Sequence, residues 1–327
     1  MLSRVADAVH WMSRYIERAE NLARFVDVNE SLTLDLGSGS PQSQWRSLVM
    51  ATGDDSEFLE RYPHFDRENV LRFLVFDPSY HSSIWSSLRA ARENARSVRE
   101  IISADTWEQT NRAYHLVKKA AAAPDAILAD PEPFLQKVKE ACYRIDGSMQ
   151  VTMTHNDAWY FMQVGRLLER ADKTSRILDV KYFLVRQDAV GVEAEDDPQW
   201  SALLQSVSGL EMYRQKCGRI TPAKALHFLL FEPSFPRSIR FCVMRAEKGL
   251  QNLDAGQGVS PRNEVERRLG RLRAELEFAE VGEVMAKGVH EWVDGFQRKL
   301  NAVGVAMHET YFELGTPVGQ RQSQSQG

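Results

Sequence analysis

Cysteine is scarce in this chain of 327 residues, and its scarcity excludes two classes of fold. The three cysteines, Cys142, Cys217 and Cys242, are far apart and form no CxxC pair. Zinc ribbons and disulfide frameworks both need closely spaced or numerous cysteines. We therefore expect three free thiols in a reducing cytoplasm.

Long apolar runs and a surplus of one charge are missing as well. No window reaches the roughly 18 uninterrupted apolar residues of a membrane span, and the N-terminus lacks the apolar stretch of a signal peptide. The 41 Lys and Arg residues are balanced by 45 Asp and Glu residues. The sequence therefore predicts a cytoplasmic protein that binds neither membranes nor nucleic acids.

Familiar catalytic and metal-binding motifs are also absent. The chain has no Gly-rich phosphate loop, no GxSxG and no HExxH. A helical di-iron site would need two inward-facing Glu-x-x-His pairs, and the nearest approach is the single pair Asp7 and His10. We predict neither a metal nor a cofactor.

What the sequence does have is helical periodicity along almost its whole length. Apolar residues recur at helical spacing and strand-like alternation is nearly absent, so the chain is predicted to be all-α. Breaks are expected where Gly, Ser, Pro or acidic residues cluster, at residues 37–41, 187–198 and 254–262. The Gln- and Ser-rich tail, residues 315–327, is predicted to be disordered.

One helical segment occurs twice. Residues 13–20 return as residues 165–172, at an offset of 152. The charged positions stay in register while their apolar neighbours vary, which is the reverse of what a plain packing repeat shows. We call residues 17–18 and 169–170 the Glu-Arg motifs.

A second correspondence, at an offset of 155, supports an internal duplication. Trp45 and the residue before it correspond to Trp200 and the residue before it. We therefore predict a helical bundle of two similar halves, residues 1–150 and 151–314, packed about a pseudo-twofold axis.

The same offset relates two Pro-Ser turns, in residues 76–84 and 231–239. Proline disfavours helix in the residue before it, and serine is a strong N-cap. Helices are therefore predicted to begin at Ser79 and Ser234.

The charged side chains of the Glu-Arg segments share one helical face, and three interpretations of that face stay open. It is a solvated face held by pairs within one helix, or a buried network in which Glu17 pairs with Arg170 and Glu169 with Arg18. In the third, the arginines hold a carboxylate or phosphate in a cleft, and Glu17 or Glu169 acts as a general base. The candidate ligand-binding residues on these faces are Arg14, Arg18, Arg24, Arg166, Arg170 and Arg176.

A basic stripe follows the first Pro-Ser turn and lacks a full counterpart in the second half. It consists of Arg89, Arg92, Arg96 and Arg99, whereas the positions 155 residues later hold Met244, Glu247, Gln251 and Asp254. A duplicated scaffold that carries the arginine stripe in one half only suits a single anionic ligand. We take Arg92, Arg96 and Asn94 as candidate ligand-binding residues. An exposed helix of mixed charge is the alternative.

In combination, these segments resemble the alpha-E family of predicted all-helical bacterial proteins with a Glu-Arg motif. The resemblance spans residues 1 to about 314, and its matching stretches are residues 14–24, 78–84, 91–96 and 165–171. One departure is Ser13, where the family usually has glycine.

The resemblance implies an association rather than a reaction. Relatives are typically encoded beside, or fused to, a circularly permuted ATP-grasp protein, often with a transglutaminase-like peptidase nearby. The implied function is an accessory or substrate-binding subunit of an ATP-grasp amide or peptide ligase, in peptide synthesis or modification. Two alternatives stay open: a stand-alone enzyme acting on an anionic or acyl-phosphate substrate with glutamate as base, and a purely structural adaptor.

Overall fold

The structure is a computed structural model. It describes residues 1–35, 41–188, 198–254 and 263–313. All regular secondary structure within these ranges is helical, which confirms the all-α prediction. The three cysteines form no disulfide. In the described parts, no helix combines the length and apolar character needed to cross a membrane.

The described residues that fall within the predicted breaks lie at their edges and are helical. A helix begins at Pro41 and another at Pro198, because proline is tolerated in the first turn of a helix, where its missing amide hydrogen has no partner. Most of the three predicted breaks, and the tail predicted to be disordered, lie outside the described residues.

The first part of the chain contains two long helices with shorter ones between them. In order, the elements are α1 (Ser3–Asp35), α2 (Pro41–Thr52), α3 (Asp55–Leu59), α4 (Arg67–Leu71), a π-helical segment (Arg72–Phe76), α5 (Ile84–Ser97), α6 (Ala104–Ala121), α7 (Pro124–Ala129) and α8 (Glu132–Thr152). The boundary predicted after residue 150 falls in the last turn of α8.

The second part begins with a helix almost as long as α1. Its elements are α9 (Asp157–Asp188), α10 (Pro198–Ser206), α11 (Leu210–Cys217), α12 (Pro222–Phe231), α13 (Ile239–Asp254), α14 (Glu264–Phe278), α15 (Val281–Lys287), α16 (Val289–Met307) and a second π-helical segment (His308–Phe312).

The two helices with the Glu-Arg motifs, α1 and α9, pack against each other at the centre of the molecule. Helix α5 packs on α1, and α13 packs on α9. Helices α6 and α8 cover the first side, and α14 and α16 cover the second. Every residue from 16 to 26 of α1 is buried, so its charged face is not a solvated one.

The N-caps of the helices after the Pro-Ser turns lie four residues later than predicted, at Ser83 and Ser238, so the prediction that these helices begin at Ser79 and Ser234 was wrong. Ser83 caps α5 by accepting a hydrogen bond from the amide of Ser86 at 3.1 Å. Ser238 caps α13 in the same way, through the amide of Phe241 at 3.1 Å.

Ser79 and Ser234 lie inside the turns and do not cap the helices, because an acidic side chain accepts a hydrogen bond from the amide of each. Asp77 Oδ1 accepts from the amide of Ser79 at 2.8 Å, and Glu232 Oε1 accepts from the amide of Ser234 at 3.2 Å. Each helix therefore begins only after its Pro-Ser turn ends, at the later serine.

Ser83→Ala is expected to lower the free energy of unfolding by about 1–2 kcal/mol, because it removes the cap of α5. The same substitution removes a hydrogen bond of 2.8 Å from the buried hydroxyl to the carbonyl of Asp77. Ser79→Ala is the matched control: its side chain is exposed, and we expect a change within about 0.5 kcal/mol. Urea unfolding measures both, and equal losses would contradict the assignment of the cap.

Candidate functional site

The two Glu-Arg motifs are joined by reciprocal ion pairs between α1 and α9. Arg170 donates from Nε to Glu17 Oε1 at 2.8 Å and from Nη2 to Oε2 at 2.7 Å. Arg18 donates from Nε to Glu169 Oε1 at 2.7 Å and from Nη2 to Oε2 at 3.2 Å. Each guanidinium grips its carboxylate with two parallel hydrogen bonds, the strongest geometry for such a pair. Of the three interpretations left open by the sequence, these contacts match the buried network that pairs Glu17 with Arg170 and Glu169 with Arg18.

Further donors occupy the same carboxylates. Glu17 Oε1 also accepts from Asn21 at 2.9 Å and from Arg237 at 3.1 Å. Glu169 Oε2 also accepts from Arg14 at 2.9 Å, and the ammonium of Lys173 lies 3.8 Å from Oε1. Both carboxylates are therefore surrounded by donors from several turns of helix.

A close approach of the two helices makes this geometry possible. Gly165 lies one turn before the motif of α9, and a Cβ added there would lie 2.5 Å from the carbonyl oxygen of His10. Any side chain at this position would push α9 away from α1. Ser13, the matching residue of the first copy, is itself buried.

Arg237 belongs to this network although the sequence did not single it out. It lies just before α13 and donates to Glu17 Oε1 at 3.1 Å, to Asn21 Oδ1 at 3.1 Å and to Glu20 Oε1 at 2.5 Å. Its counterpart 155 residues earlier is Ser82, so a search for charges kept in both copies passes over it. The available signal was an arginine directly before the serine cap of a buried helix.

Burial and neighbouring charge determine the ionisation of the network. Burial raises the pKa of the Glu17 carboxyl, but the guanidiniums of Arg170 and Arg237 outweigh it and lower the pKa to about 2. Burial acts likewise on Glu169, where Arg18 and Arg14 hold the pKa well below its usual range. Conversely, the carboxylates raise the pKa of both Arg18 and Arg170 against the effect of burial.

These contacts do not support Glu17 and Glu169 as catalytic bases. A general base needs a pKa near the working pH and a lone pair that reaches substrate. Both side chains are almost fully buried, at 2% and 0% exposed, and both stay ionised with their oxygens already bonded. Neither carboxylate can act as a base because the packing of α1 on α9 brings several cations to each of them.

The other predicted arginines bond to residues outside the two motifs, although Arg24 shares Glu20 with Arg237. Arg24 donates to Glu20, to Ser208 and to the hydroxyl of Tyr143 at 2.8 Å. Arg176 Nε bonds to both carboxylate oxygens of Asp172, at 3.0 and 2.9 Å. Arg166 bonds to Asp146 and to Gln163. The motif arginines therefore do not converge on one open cleft.

The basic stripe lies elsewhere, on the surface between α5 and α6. Arg92 donates to Asn111 at 2.8 Å and to Glu93 at 2.7 Å, and its guanidinium lies 4.7 Å from the ring centre of Tyr114. Arg96 is exposed and donates to Glu93 at 2.9 Å. Asn94, between them, is partly buried. Neither arginine bonds to a Glu-Arg motif in the described structure, so the two candidate sites predicted from sequence are distinct.

A cavity of about 490 Å³ borders the network on the side of α16. Arg14 and Asp172 line its inner wall, and Trp11, His308 and Phe312 contribute aromatic surface. Burial and Arg14 lower the pKa of the adjacent His10 to about 3, so that imidazole is neutral. The cavity combines charges of both signs and so favours no single class of charged ligand.

Comparison with known proteins finds a family that is described by the same motif. Residues 1–312 match the family Alpha-E, described as a predicted alpha-helical domain with a conserved ER motif. An uncharacterised protein of Mycobacterium bovis is 26% identical over 336 residues, which cover 95% of this chain and 37% of the relative. Two uncharacterised proteins of Mycobacterium tuberculosis match over the same shares, at 26% and 25% identity.

The chain thus spans little more than a third of the length of these curated relatives. No solved structure matches it significantly. The family match covers nearly all of the described residues, including both Glu-Arg motifs. The chain belongs to the Alpha-E family.

Proposed function

We propose that this chain is a binding and scaffolding subunit that works with an ATP-grasp amide or peptide ligase, in peptide synthesis or modification. In this proposal the Glu-Arg motifs hold the subunit in shape, and ligand binding takes place on surfaces that they support. The reaction itself belongs to the partner.

The main support for the proposal is that hydrogen-bond donors of the protein already occupy the carboxylates of both Glu-Arg motifs. Glu17 and Glu169 are buried, ionised and bonded to two or more cations each. A stand-alone enzyme with either residue as base would have to break a buried bidentate pair before each turnover, which costs several kcal/mol.

The relatives support a role beside another protein. The matched segment makes up 37% of each curated relative, so in those proteins it is joined to a longer chain. The resemblance to proteins encoded with a circularly permuted ATP-grasp protein supplies the class of partner. A transglutaminase-like peptidase as a second partner and a cytoplasmic location, where ATP is available, are further parts of the proposal.

We also propose that the two halves arose by duplication and pack about a pseudo-twofold axis. The reciprocal pairs of Glu17 with Arg170 and of Glu169 with Arg18 support this, because each motif plays both roles. The matching serine caps of α5 and α13 support it too.

Co-purification tests the proposal directly. A circularly permuted ATP-grasp protein from the same genome, the class of partner that the resemblance implies, should form a complex with this chain, and ATP hydrolysis by that protein should change several-fold when the chain is added. A complex that leaves ATP hydrolysis unchanged would favour the purely structural adaptor. Turnover by the chain alone, lost in Glu17→Gln without a change in melting temperature, would favour the stand-alone enzyme.

A further inference from the structure

A second cavity, of about 360 Å³, lies between α9 and α13 and is not explained by the Glu-Arg network. Helix α9 contributes Trp159, Gln163 and Arg166, which fall on one helical face. Helix α13 contributes Arg245 and Lys248 from the opposite wall. Three of these five side chains are cationic.

The positive charge of this cavity is only partly balanced. Asp146 neutralises Arg166. Arg245 and Lys248 are exposed, and neither has a carboxylate partner among the described residues. Arg245 instead lies over the ring of Phe241, at 5.4 Å from its centre. Two cations are therefore left to face the cavity and the solvent.

Hydrogen-bond donors are left unsatisfied at the same place. Trp159 Nε1, Gln163 Nε2 and Arg166 Nε are buried, and none has an acceptor within the described structure. Buried donors are nearly always paired, so three on one face of α9 call for an explanation. Burial lowers the pKa of Arg166 to about 10, with a further contribution from Arg170, which indicates that its positive charge is poorly solvated there.

The cavity also has aromatic walls. Trp159 stacks on His155 with 3.9 Å between ring centres, and Tyr160 and Phe241 complete the apolar surface. Flat side chains beside a cluster of cations and donors suit a ligand with an anionic end and a flat apolar end.

We propose that this cavity binds the oxyanion, carboxylate or phosphate, of a small ligand that also carries an aromatic or similar apolar group. Arg245 and Lys248 attract the anion, while an oxyanion supplies the acceptors that the donors of α9 lack. The proposal deepens the function proposed above and rests on it for the biological role of the ligand. Binding itself is a property of this chain alone.

The site is confined to one half of the chain. The positions equivalent to Trp159 and Gln163 are Asp7 and Trp11, and those equivalent to Arg245 and Lys248 are Ala90 and Glu93. The first half thus places acidic residues where the second half has an indole donor and a lysine. One anionic ligand per chain is expected.

Calorimetric titration of the isolated chain tests the proposal, with phenyl phosphate and benzoate as probes and inorganic phosphate and acetate as their counterparts without a ring. At least one ring-bearing probe is expected to bind saturably, with one site per chain and more tightly than its counterpart. Whichever of phenyl phosphate and benzoate binds more tightly shows whether the site prefers a phosphate or a carboxylate. The double variant Arg245→Gln with Lys248→Gln should weaken binding by about tenfold or more.

The control is the double variant Lys119→Gln with Arg144→Gln, which removes the same charge from exposed positions on α6 and α8. It should bind like the wild type, and both variants should keep the wild-type melting temperature. No saturable binding of any probe, or equal weakening in the two double variants, would overturn the proposal. Binding of a probe in the cavity, together with no effect of the chain on the ATP-grasp partner, would contradict only the proposed function. An effect of the chain on the partner, together with no binding of any probe, would contradict only the site.

Discussion

Replacing Glu169 with alanine is expected to lower the free energy of unfolding by about 3–5 kcal/mol, the cost of stranding buried charge. Glu169 is 0% exposed and accepts hydrogen bonds from Arg14 and Arg18. Without it, both guanidiniums stay in the interface between α1 and α9 and lose the carboxylate that accepts their hydrogen bonds. Chemical denaturation with urea, followed by circular dichroism, measures the loss.

The matched control for this substitution is Glu140→Ala in α8. Glu140 also bonds to an arginine, since Arg144 one helical turn later donates to it at 3.0 Å, but the side chain of Glu140 is 44% exposed. An exposed pair of this kind contributes little, so the expected change is below about 0.5 kcal/mol. Similar losses in Glu140→Ala and Glu169→Ala would contradict the buried network.

A double-mutant cycle between Glu169 and Arg18 separates their interaction from the other effects of each substitution. The combined variant Glu169→Gln with Arg18→Met should be less destabilised than the sum of the single variants, by about 1–3 kcal/mol. The reason is that the second substitution removes a charge that the first has already stranded. Losses that add within about 0.5 kcal/mol would mean that the two side chains do not interact.

The core of this network could be predicted because the Glu-Arg motif occurs twice in the sequence. Charged positions kept at an offset of 152, beside apolar neighbours that vary, require the two motifs to meet each other or a shared ligand. The bonds of Arg170 to Glu17 and of Arg18 to Glu169 fulfil that requirement. The burial of their helix on all sides was not predictable, because an amphipathic pattern does not say what covers its polar face.

Other parts of the site depend on contacts that no local pattern records. Arg237 reaches Glu17 from 220 residues away and has no charged counterpart in the first half. Ser79 and Ser83 are both plausible caps in sequence, and the choice is made by the side chain of Asp77, which binds the amide of Ser79. The cavity between α9 and α13 requires the register of two helices, which helical periodicity alone does not fix.

Acid is expected to weaken this fold, through the same two carboxylates. The pKa of Glu17 is lowered to about 2 in the folded chain, from an ordinary value of 4.5, and that of Glu169 is lowered as well. A group whose pKa is depressed by folding stabilises the folded state above its unfolded pKa, and this stabilisation is lost as the pH falls toward its folded pKa. Each such group makes the free energy of unfolding drop by about 1.4 kcal/mol per pH unit within that window.

The variant Glu17→Gln isolates one of these contributions, because glutamine keeps the shape of the side chain and cannot titrate. At neutral pH it should be less stable than the wild type, and the difference should narrow as the pH falls from about 4.5 toward 2, where the wild-type carboxyl is also losing its charge. Urea unfolding of the two proteins across this range measures the difference directly. A general base would have a raised pKa, and its stabilising effect would grow on acidification instead. A wild type that gains stability relative to Glu17→Gln as the pH falls would therefore contradict the buried network and restore the catalytic interpretation of Glu17.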